Sequence, residues 1–328
     1  MSRVLAGDIG GTKTRLAIIE VAGTRIHTER EVSYPSRDHA TFEALLADFL
    51  KSEQVPVHAA FGIAGPVQDR AVRTTNLPWY IEADQLQQRF GFEDCTLLND
   101  LESVAYGLPA LGVADLVTLQ QGKPDARGNA AVIAAGTALG EAGLYWDGQR
   151  HHPYATEGGH TSFSPQNELE MDLLRFLQSR YGHVSWERIV SGMGVPDLHN
   201  FLRAYRKSEV PPGLAEEMKS GDAAAAISRA ALSESDDICI ETMDVFVRLY
   251  GAEAGNLALK TMSSGGIYVG GGIAPKILPL LQRGDFIEAF LSKGRLRYVL
   301  ESMPVRVILN DRVALFGPAL CAGREAAN

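Results

Sequence analysis

The sequence predicts an α/β protein of two lobes, and three observations predict it. The chain has 328 residues, longer than one hydrophobic core usually grows, so two domains are expected. Up to about residue 109 the pattern reads β-β-β-α-β-α-β-α, one compact α/β arrangement. After residue 130 a second hairpin of strand, glycine turn and strand begins, followed by a helix-rich stretch with two late strands.

Each element has its own signal. Val4 to Ile9 is a short apolar strand, Gly10-Gly11-Thr12 a turn, and Thr14 to Ile19 the returning strand. Two apolar runs at this spacing, separated by glycines, make a β-hairpin. Ile26 to Val32 continues the meander with a more exposed strand. Phe42, Leu45, Leu46, Phe49 and Leu50 recur at helical spacing and give one buried stripe. Val57 to Ala64 is a strand, Leu86 to Phe90 lies in a short helix, and Cys95 to Leu98 is a strand ending at Asn99-Asp100. A helix from Leu101 to Gly107 follows.

The second part opens with Ala130 to Ala135, turns through Gly136-Thr137-Ala138-Leu139-Gly140 and returns from Ala142 to Trp146. Helices are expected over Glu168 to Tyr181, Pro196 to Tyr205, Ala223 to Leu232 and Asp237 to Lys260. Met243, Phe246, Leu249 and Tyr250 form a core stripe on the last of these. Gly266 to Val269 is a buried strand, and Gly270-Gly271-Gly272 leads to a helix opening at Pro275. Val305 to Leu309 is a strand, and Arg312 to Gly323 a closing helix. Lys207 to Asp222, with Pro211-Pro212-Gly213, reads as a surface loop.

Composition narrows the function classes. Lys and Arg number 31 against 40 Asp and Glu, a net charge of −9. Duplex binding needs a basic face that displaces counterions, so nucleic acid is not the expected partner. Hydrophobic residues make up 45% and charged residues 22%, as in ordinary folded proteins. Cys95, Cys239 and Cys321 form neither a disulfide framework nor a CxxC zinc spacing and read as reduced core thiols. No run reaches the roughly 18 apolar residues of a membrane span, and Asp8 interrupts the apolar start, so no signal peptide is expected. These readings place the protein in the cytoplasm, without membrane or nucleic-acid partners.

The chemistry-bearing segments are glycine turns. There is no GxxxxGK[ST] loop, and Gly270-Gly-Gly-Ile-Ala-Pro275 is not GxGxxG. Instead Asp8, at a strand end, runs into Gly10-Gly11-Thr12. Glycine there allows close backbone approach, and successive N–H groups can hold an anion. Alone, this is equally an ordinary tight hairpin. Together with Gly136-Thr137 and the late triple glycine, it supplies the parts of a two-lobed phosphotransferase fold.

Gly7-Asp-Ile-Gly-Gly-Thr12 resembles the first phosphate motif of the sugar-kinase, actin and heat-shock-chaperone ATPase superfamily. Ala135-Gly-Thr-Ala-Leu-Gly140 resembles its second phosphate motif, and Val269-Gly-Gly-Gly-Ile-Ala-Pro275 its adenosine motif. Within that superfamily the chain is similar to the bacterial glucokinase family. That likeness rests on Leu97-Leu-Asn-Asp100, Glu157-Gly-Gly-His160, Gly182-His-Val-Ser-Trp-Glu187 and Ile189-Val-Ser-Gly192, in matching order along the chain.

The resemblance implies a two-lobed ribonuclease-H-like (actin-like ATPase) fold with its site in the interlobe cleft. Residues 1–109 plus 302–328 would form the small lobe and 110–301 the large one. It implies transfer of the γ-phosphoryl group of ATP to the 6-hydroxyl of D-glucose, the entry step of glycolysis, by a homodimer. Asn99 would bind the O3/O4 side of the sugar, Glu157, His160 and Glu187 the O1/O2 side, and Asp100 the O4/O6 side. Asp100 would also be the catalytic base. Gly7, Asp8, Ile9, Gly10, Gly11, Thr12, Gly136, Thr137, Gly271 and Gly272 would form the nucleotide site, with Asp8 orienting Mg²⁺ through water. The residue types suit these roles, since a polyol needs converging donors and acceptors.

Structural readings stand beside these. Asn99-Asp100 at a strand-to-helix junction also fits a helix cap, and Glu187 fits a first helical turn. Lys13 fits an exposed strand position as well as a phosphate contact. His151-His152 with His160 lacks metal-ligand spacing and reads as surface. Two departures from relatives are visible: Ala138 stands where many carry glycine, and Thr161-Ser-Phe-Ser-Pro-Gln166 lacks the cysteines of the zinc-bearing repressor/ORF/kinase group. A kinase for another hexose, and a sugar-sensing regulator without catalysis, are the competing functions. The regulator would carry a basic helix-turn-helix before the first strand.

Overall fold

The computed structural model describes residues 1–328 except 52, 75, 76, 327 and 328. In chain order, the first elements are β1 (Ser2–Ile9), β2 (Lys13–Ala22), β3 (Arg25–Pro35), α1 (Phe42–Leu50), β4 (His58–Ile63), β5 (Ala71–Arg73), β6 (Tyr80–Glu82), α2 (Ala83–Phe90), β7 (Asp94–Asn99) and α3 (Asp100–Gly107). Then come β8 (Leu116–Gln120), β9 (Ala130–Ala135), β10 (Leu139–Trp146), β11 (His151–Thr156), α4 (Glu168–Tyr181), α5 (Gly194–Arg206), α6 (Pro212–Ser220), α7 (Ala223–Leu232) and α8 (Asp237–Thr261). The chain ends with β12 (Gly266–Gly270), α9 (Leu278–Leu281), α10 (Asp285–Leu291), α11 (Arg297–Glu301), β13 (Val305–Ile308) and α12 (Val313–Glu325).

Two units result, one of residues 1–115, 152–155 and 310–328, the other of 116–151 and 156–309. In the first, a five-stranded sheet runs β3-β2-β1-β4-β7. The β1–β2 hairpin is antiparallel, whereas β1, β4 and β7 are parallel neighbours. Parallel strands are buried on both faces and read as continuous apolar runs, as in His58-Ala-Ala-Phe-Gly-Ile63. Helix α1 covers one face through Phe42, Leu45, Leu46, Phe49 and Leu50, the stripe its spacing predicts. Helix α12 covers the other, with Leu315, Ala319 and Ala322 against Val4, Ala6 and Ala17. Helices α3 and α12 meet backbone to backbone: a Cβ on Gly317 would lie 1.7 Å from the Ser103 carbonyl oxygen.

In the second unit β10, β9, β12, β13 and β8 are neighbours in that order. Strand β9 is buried throughout, and the long helix α8 packs its Met243, Phe246, Leu249 and Tyr250 into the same core. Strand β13 pairs with β12 and β8. Residues 302–309 therefore group with the second unit, where the sequence reading had put them in the small lobe, and the chain returns to the first unit at Asn310. There the Asn310 side-chain amide donates to Asp115 at 3.1 Å, joining two of the points where the chain changes unit.

Three local expectations need correction. The stretch 207–222 is not all loop: Pro212–Ser220 is helix α6. Proline lacks the N–H that a first helical turn leaves unused, so Pro212 opens this helix rather than breaking it. No helix opens at Pro275. The Ile273 N–H donates out to the Ala135 carbonyl at 3.2 Å and Pro275 has none to give, so regular helix starts only at Leu278. The histidine pair is not a solvated surface pair. His151 and His152 are half-buried in β11, with the His151 ring against Trp146 and 2.9 Å from the Gly128 carbonyl. The short hairpin β5–β6 and strand β8 had no reading from the sequence.

Candidate functional site

The first unit gathers its candidate residues at the carboxyl end of the parallel strands. Register sets Ile9 beside Ile63 and Ile63 beside Asn99, so the Asp8–Thr12 turn and the Asn99-Asp100 junction share one sheet end. Ligands of open α/β sheets bind at that end. Gly7 and Ile9 support the turn from within the sheet. A Cβ on Gly7 would lie 2.6 Å from Phe61 and 2.9 Å from Leu16, and the Ile9 side chain belongs to the core. The Gly10 N–H closes the turn on the Lys13 carbonyl at 3.0 Å, and the Ser36 hydroxyl donates to the Gly10 carbonyl at 2.7 Å. Thr12 and Lys13 are exposed at the tip.

Asp8 pairs in register with Arg15, its carboxylate 3.8 Å from the guanidinium, which in turn donates to Asp311 at 2.7 Å. Burial raises the Asp8 pKa, Arg15 and Lys13 oppose the rise, and Asp311 adds to it. Carboxylate oxygens of this kind suit Mg²⁺.

Asn99 is the cap of helix α3, so the capping interpretation holds for this residue. Its side-chain oxygen accepts from the Leu101 and Glu102 N–H groups at 2.9 and 3.4 Å, and its side-chain amide donates to Gly65 at 3.2 Å. Asp100 is the first helical residue, half-buried, with its Oδ1 3.0 Å from the Leu101 nitrogen.

In the second unit, Gly136, Thr137 and Gly272 line a cavity of about 690 Å³. Val195, Leu232, Ile273 and Ile277 give it apolar walls, and Arg229 and Lys276 give it positive charge. Gly271 has φ +83°, and a Cβ there would lie 2.3 Å from the Ala135 oxygen. Only glycine fits where β12 turns away beside β9. The Gly192 N–H donates to the Gly136 carbonyl at 2.7 Å and fixes the Gly136-Thr137 turn. Tyr250, legible from the sequence only as core, has its hydroxyl 3.1 Å from the Ala135 nitrogen and 3.2 Å from the Ile133 and Gly270 carbonyls. It clamps the ends of the two strands that deliver these glycines.

Glu157, His160 and Glu187 all belong to this unit, on two short turns beside β10. Gly158–His160 is a single 3-10 turn laid on β10 so closely that a Cβ on Gly159 would lie 2.1 Å from the Leu139 oxygen. The segment after it is zipped to residues 184–186 by the Phe163 N–H to Val184 and the Trp186 N–H to Thr161, both 3.0 Å. That pairing delivers Glu187, whose Oε2 accepts from the Leu139 N–H at 3.3 Å. Glu187 sits in a three-residue 3-10 turn, too short for the dipole of a full helix to explain a carboxylate there. Glu157 and His160 are 3.9 Å apart with side chains about 60% exposed.

The family model described as Glucokinase matches residues 5–325. The chain belongs to the glucokinase family. It is 42% identical over 340 aligned positions to the glucokinase of Nostoc punctiforme, covering 99% of this chain and all of that one. Among solved structures, the glucokinase of an Antarctic psychrotroph is 30% identical with a TM-score of 0.87, covering 99% of each chain. A glucokinase of the ROK family from Streptomyces griseus, solved with glucose and AMPPNP, has a TM-score of 0.64 at 21% identity, covering 98% of this chain and all of that one, a likeness of fold. The fold is thus the actin-like ATPase fold of the sugar kinases.

One cluster among the described residues brings three metal-ligating side chains together, His199, Asp236 and Cys239. Arg203 already occupies it, donating to His199 Nε2 at 3.1 Å and to Asp236 at 2.6 Å. A second cation there would meet that guanidinium. No helix among the described residues is long and apolar enough to cross a membrane.

Proposed function

We propose that the chain transfers the γ-phosphoryl group of ATP to the 6-hydroxyl of D-glucose, giving glucose 6-phosphate and ADP. Membership of the glucokinase family supports the reaction, and the observation that carries the catalytic assignment is the junction of β7 and α3. There Asn99 caps the helix, and Asp100 heads its first turn with Oδ1 3.0 Å from the Leu101 nitrogen. Asp100 accepts the 6-hydroxyl proton as that oxygen attacks phosphorus. The new O–P bond forms as the bond to the bridging β,γ-oxygen breaks, and ADP leaves with that electron pair. Phosphoryl transfer depends mainly on positioning and charge neutralisation, so a carboxylate of ordinary basicity suffices.

Asn99 binds the O3/O4 side of the sugar, although its cap bonds and its donation to Gly65 already engage both ends of its amide. Glu157, His160 and Glu187 take the O1/O2 side. Support comes from the Glu187 bond to Leu139, on which the Gly158–His160 turn is laid, and from the exposure of Glu157 and His160. The nucleotide lies in the cavity of Gly136, Thr137 and Gly272, its base against Ile273, Ile277 and Leu232 and its phosphates toward Lys276. Gly11 and Thr12 add donors from the exposed β1–β2 turn. Asp8 would hold Mg²⁺ through water; when bound, the ion neutralises phosphate charge.

The same reading makes the protein a cytoplasmic homodimer. The three buried, unpaired cysteines support the reducing compartment, and the dimer rests on the family resemblance alone. A coupled assay of glucose 6-phosphate formation, run with ATP, ADP and polyphosphate as donors and with glucose, fructose, mannose and N-acetylglucosamine as acceptors, tests the reaction. Turnover that favours another hexose over glucose would overturn it.

A further inference from the structure

Two buried carboxyl groups, Glu141 on β10 and Glu253 on α8, lie beneath the Glu157–His160 turn, and the reaction as read above does not use them. Glu141 is 2% exposed and Glu253 fully buried. The two lie close enough for the Glu253 charge to act on Glu141. Two adjacent carboxylates cannot both keep their charge in a dry interior, so such a pair shares one proton.

The surroundings decide which one carries it. Glu253 accepts from the Asn256 amide at 2.7 Å and from Lys260 at 3.3 Å. Lys293, next in the network, donates to the Asn256 oxygen and the Ala252 carbonyl at 2.6 and 2.9 Å rather than to either acid. The third group nearby, the Tyr250 hydroxyl, is neutral and engaged with the strand ends. Glu141 has no such donor, and its buried Oε1 lacks a hydrogen-bond partner. A proton carried by Glu141 and donated to Glu253 supplies the missing bond and leaves the charge where Lys260 and Asn256 compensate it. Burial first, and the Glu253 charge second, push the Glu141 pKa up to about 8.

Glu141 is also the floor of the turn above it. A Cβ on Gly158 would lie 1.9 Å from Glu141 Oε2, so carboxyl and turn backbone are in van der Waals contact. The Thr156 hydroxyl donates to the Glu141 carbonyl at 2.9 Å and accepts from the Gly158 N–H at 3.3 Å. We propose that Glu141 is a positioning residue: as the neutral, proton-donating partner of Glu253 it holds the Gly158-Gly159 backbone in the form that presents Glu157 and His160 to the sugar. Ionised, it would set a second uncompensated charge beside Glu253 and displace the turn. This inference rests on the reading of Glu157 and His160 as sugar ligands.

Infrared difference spectroscopy and steady-state kinetics test it together. Wild-type protein at neutral pH should show the carbonyl stretch of a buried protonated carboxyl group, fading as pH rises through about 8 and missing from Glu141→Gln. Since only the protonated fraction binds sugar well, the glucose KM of the wild type should rise about tenfold per pH unit above that midpoint, with kcat changing far less. In Glu141→Gln, whose amide is a permanent donor to Glu253, the alkaline rise should vanish. Absence of the band from the wild type, or its persistence in Glu141→Gln, overturns the shared proton. A band that titrates while KM stays level overturns the positioning role. Glu157→Gln separates the underlying reading: if it leaves the glucose KM unchanged, the sugar assignment has failed whatever the infrared band does.

Discussion

Asn99 and Glu102 cap helix α3 reciprocally: the Asn99 side chain accepts the Glu102 N–H at 3.4 Å, and the Glu102 carboxylate accepts the Asn99 N–H at 3.3 Å. Glu102 is half-buried for this purpose, and burial raises its pKa while the bond to Asn99 opposes the rise. The box makes the neighbouring Asp100 separable from the helix it begins. Stability and chemistry at this junction can therefore be tested by different substitutions.

Asp100→Asn keeps size and hydrogen bonding but cannot accept a proton. A positioned general base contributes about 10²–10⁴-fold, so kcat should fall by at least about 10²-fold. Because Asn99 still caps the helix, unfolding stability should change by less than about 1 kcal/mol, and glucose should still protect the protein against heat. A variant retaining more than about a tenth of wild-type kcat would remove Asp100 from the mechanism.

Asn99→Ser retains a good cap residue, so its cost in stability should stay within about 1 kcal/mol. Serine cannot replace the side-chain amide that reaches Gly65 and, in the proposed role, the sugar. Glucose KM should rise well beyond any loss in stability, as steady-state kinetics beside chemical denaturation would reveal. A glucose KM unchanged in this variant would leave Asn99 a cap only.

Glu157→Gln trades charge-assisted hydrogen bonds, worth about 1.5–3 kcal/mol each, for neutral ones. The glucose KM should rise roughly tenfold or more, while ADP affinity measured by calorimetry without sugar should hardly move. Equal losses for both ligands would mean that Glu157 is structural.

Gly271→Ala forces a side chain into a left-handed backbone position and against the Ala135 carbonyl. Strain of this kind costs on the order of 1–3 kcal/mol. Denaturation should show that loss, and the KM for ATP should rise more than that for glucose, because the displaced backbone adjoins Gly272 and the 690 Å³ cavity. Wild-type behaviour in both measurements would contradict the geometry at this turn.

His199 gives the fold a pH dependence. Fully buried, it has a pKa lowered to about 4 by burial first and by the Arg203 charge second, with Asp236 opposing. The folded state thus favours the neutral ring. Its contribution is whole above the unfolded pKa of about 6.5 and is lost as pH falls from there toward 4. Chemical denaturation at pH 5 should find the protein less stable by about 2 kcal/mol than at pH 7 on this account. His199→Gln, which keeps an acceptor for Arg203, should reduce that difference, and an unchanged pH response in the variant would exclude His199 as its source.

What the sequence determined by itself was whatever depends on neighbours along the chain. Apolar spacing located β1, β2, β4, β7 and β9 and the stripes of α1 and α8, because a period of two or of about 3.6 residues is a local property. Glycine marked the turn at Gly271 because left-handed backbone and close approach leave a residue-type trace. The ordered set of motifs carried the family. Tertiary structure decided whatever depends on distant partners. Helix α6 stayed hidden because prolines that usually end a helix opened this one, and β5, β6 and β8 were too short to show a period. That Gly7 lies tight against Phe61 and that the Ile9 side chain enters the core was set by sheet packing. Tyr250 looked like any buried aromatic until its hydroxyl met Ala135, 115 residues away. Glu141 and Glu253, 112 positions apart in the sequence, come to influence each other only once folding buries both.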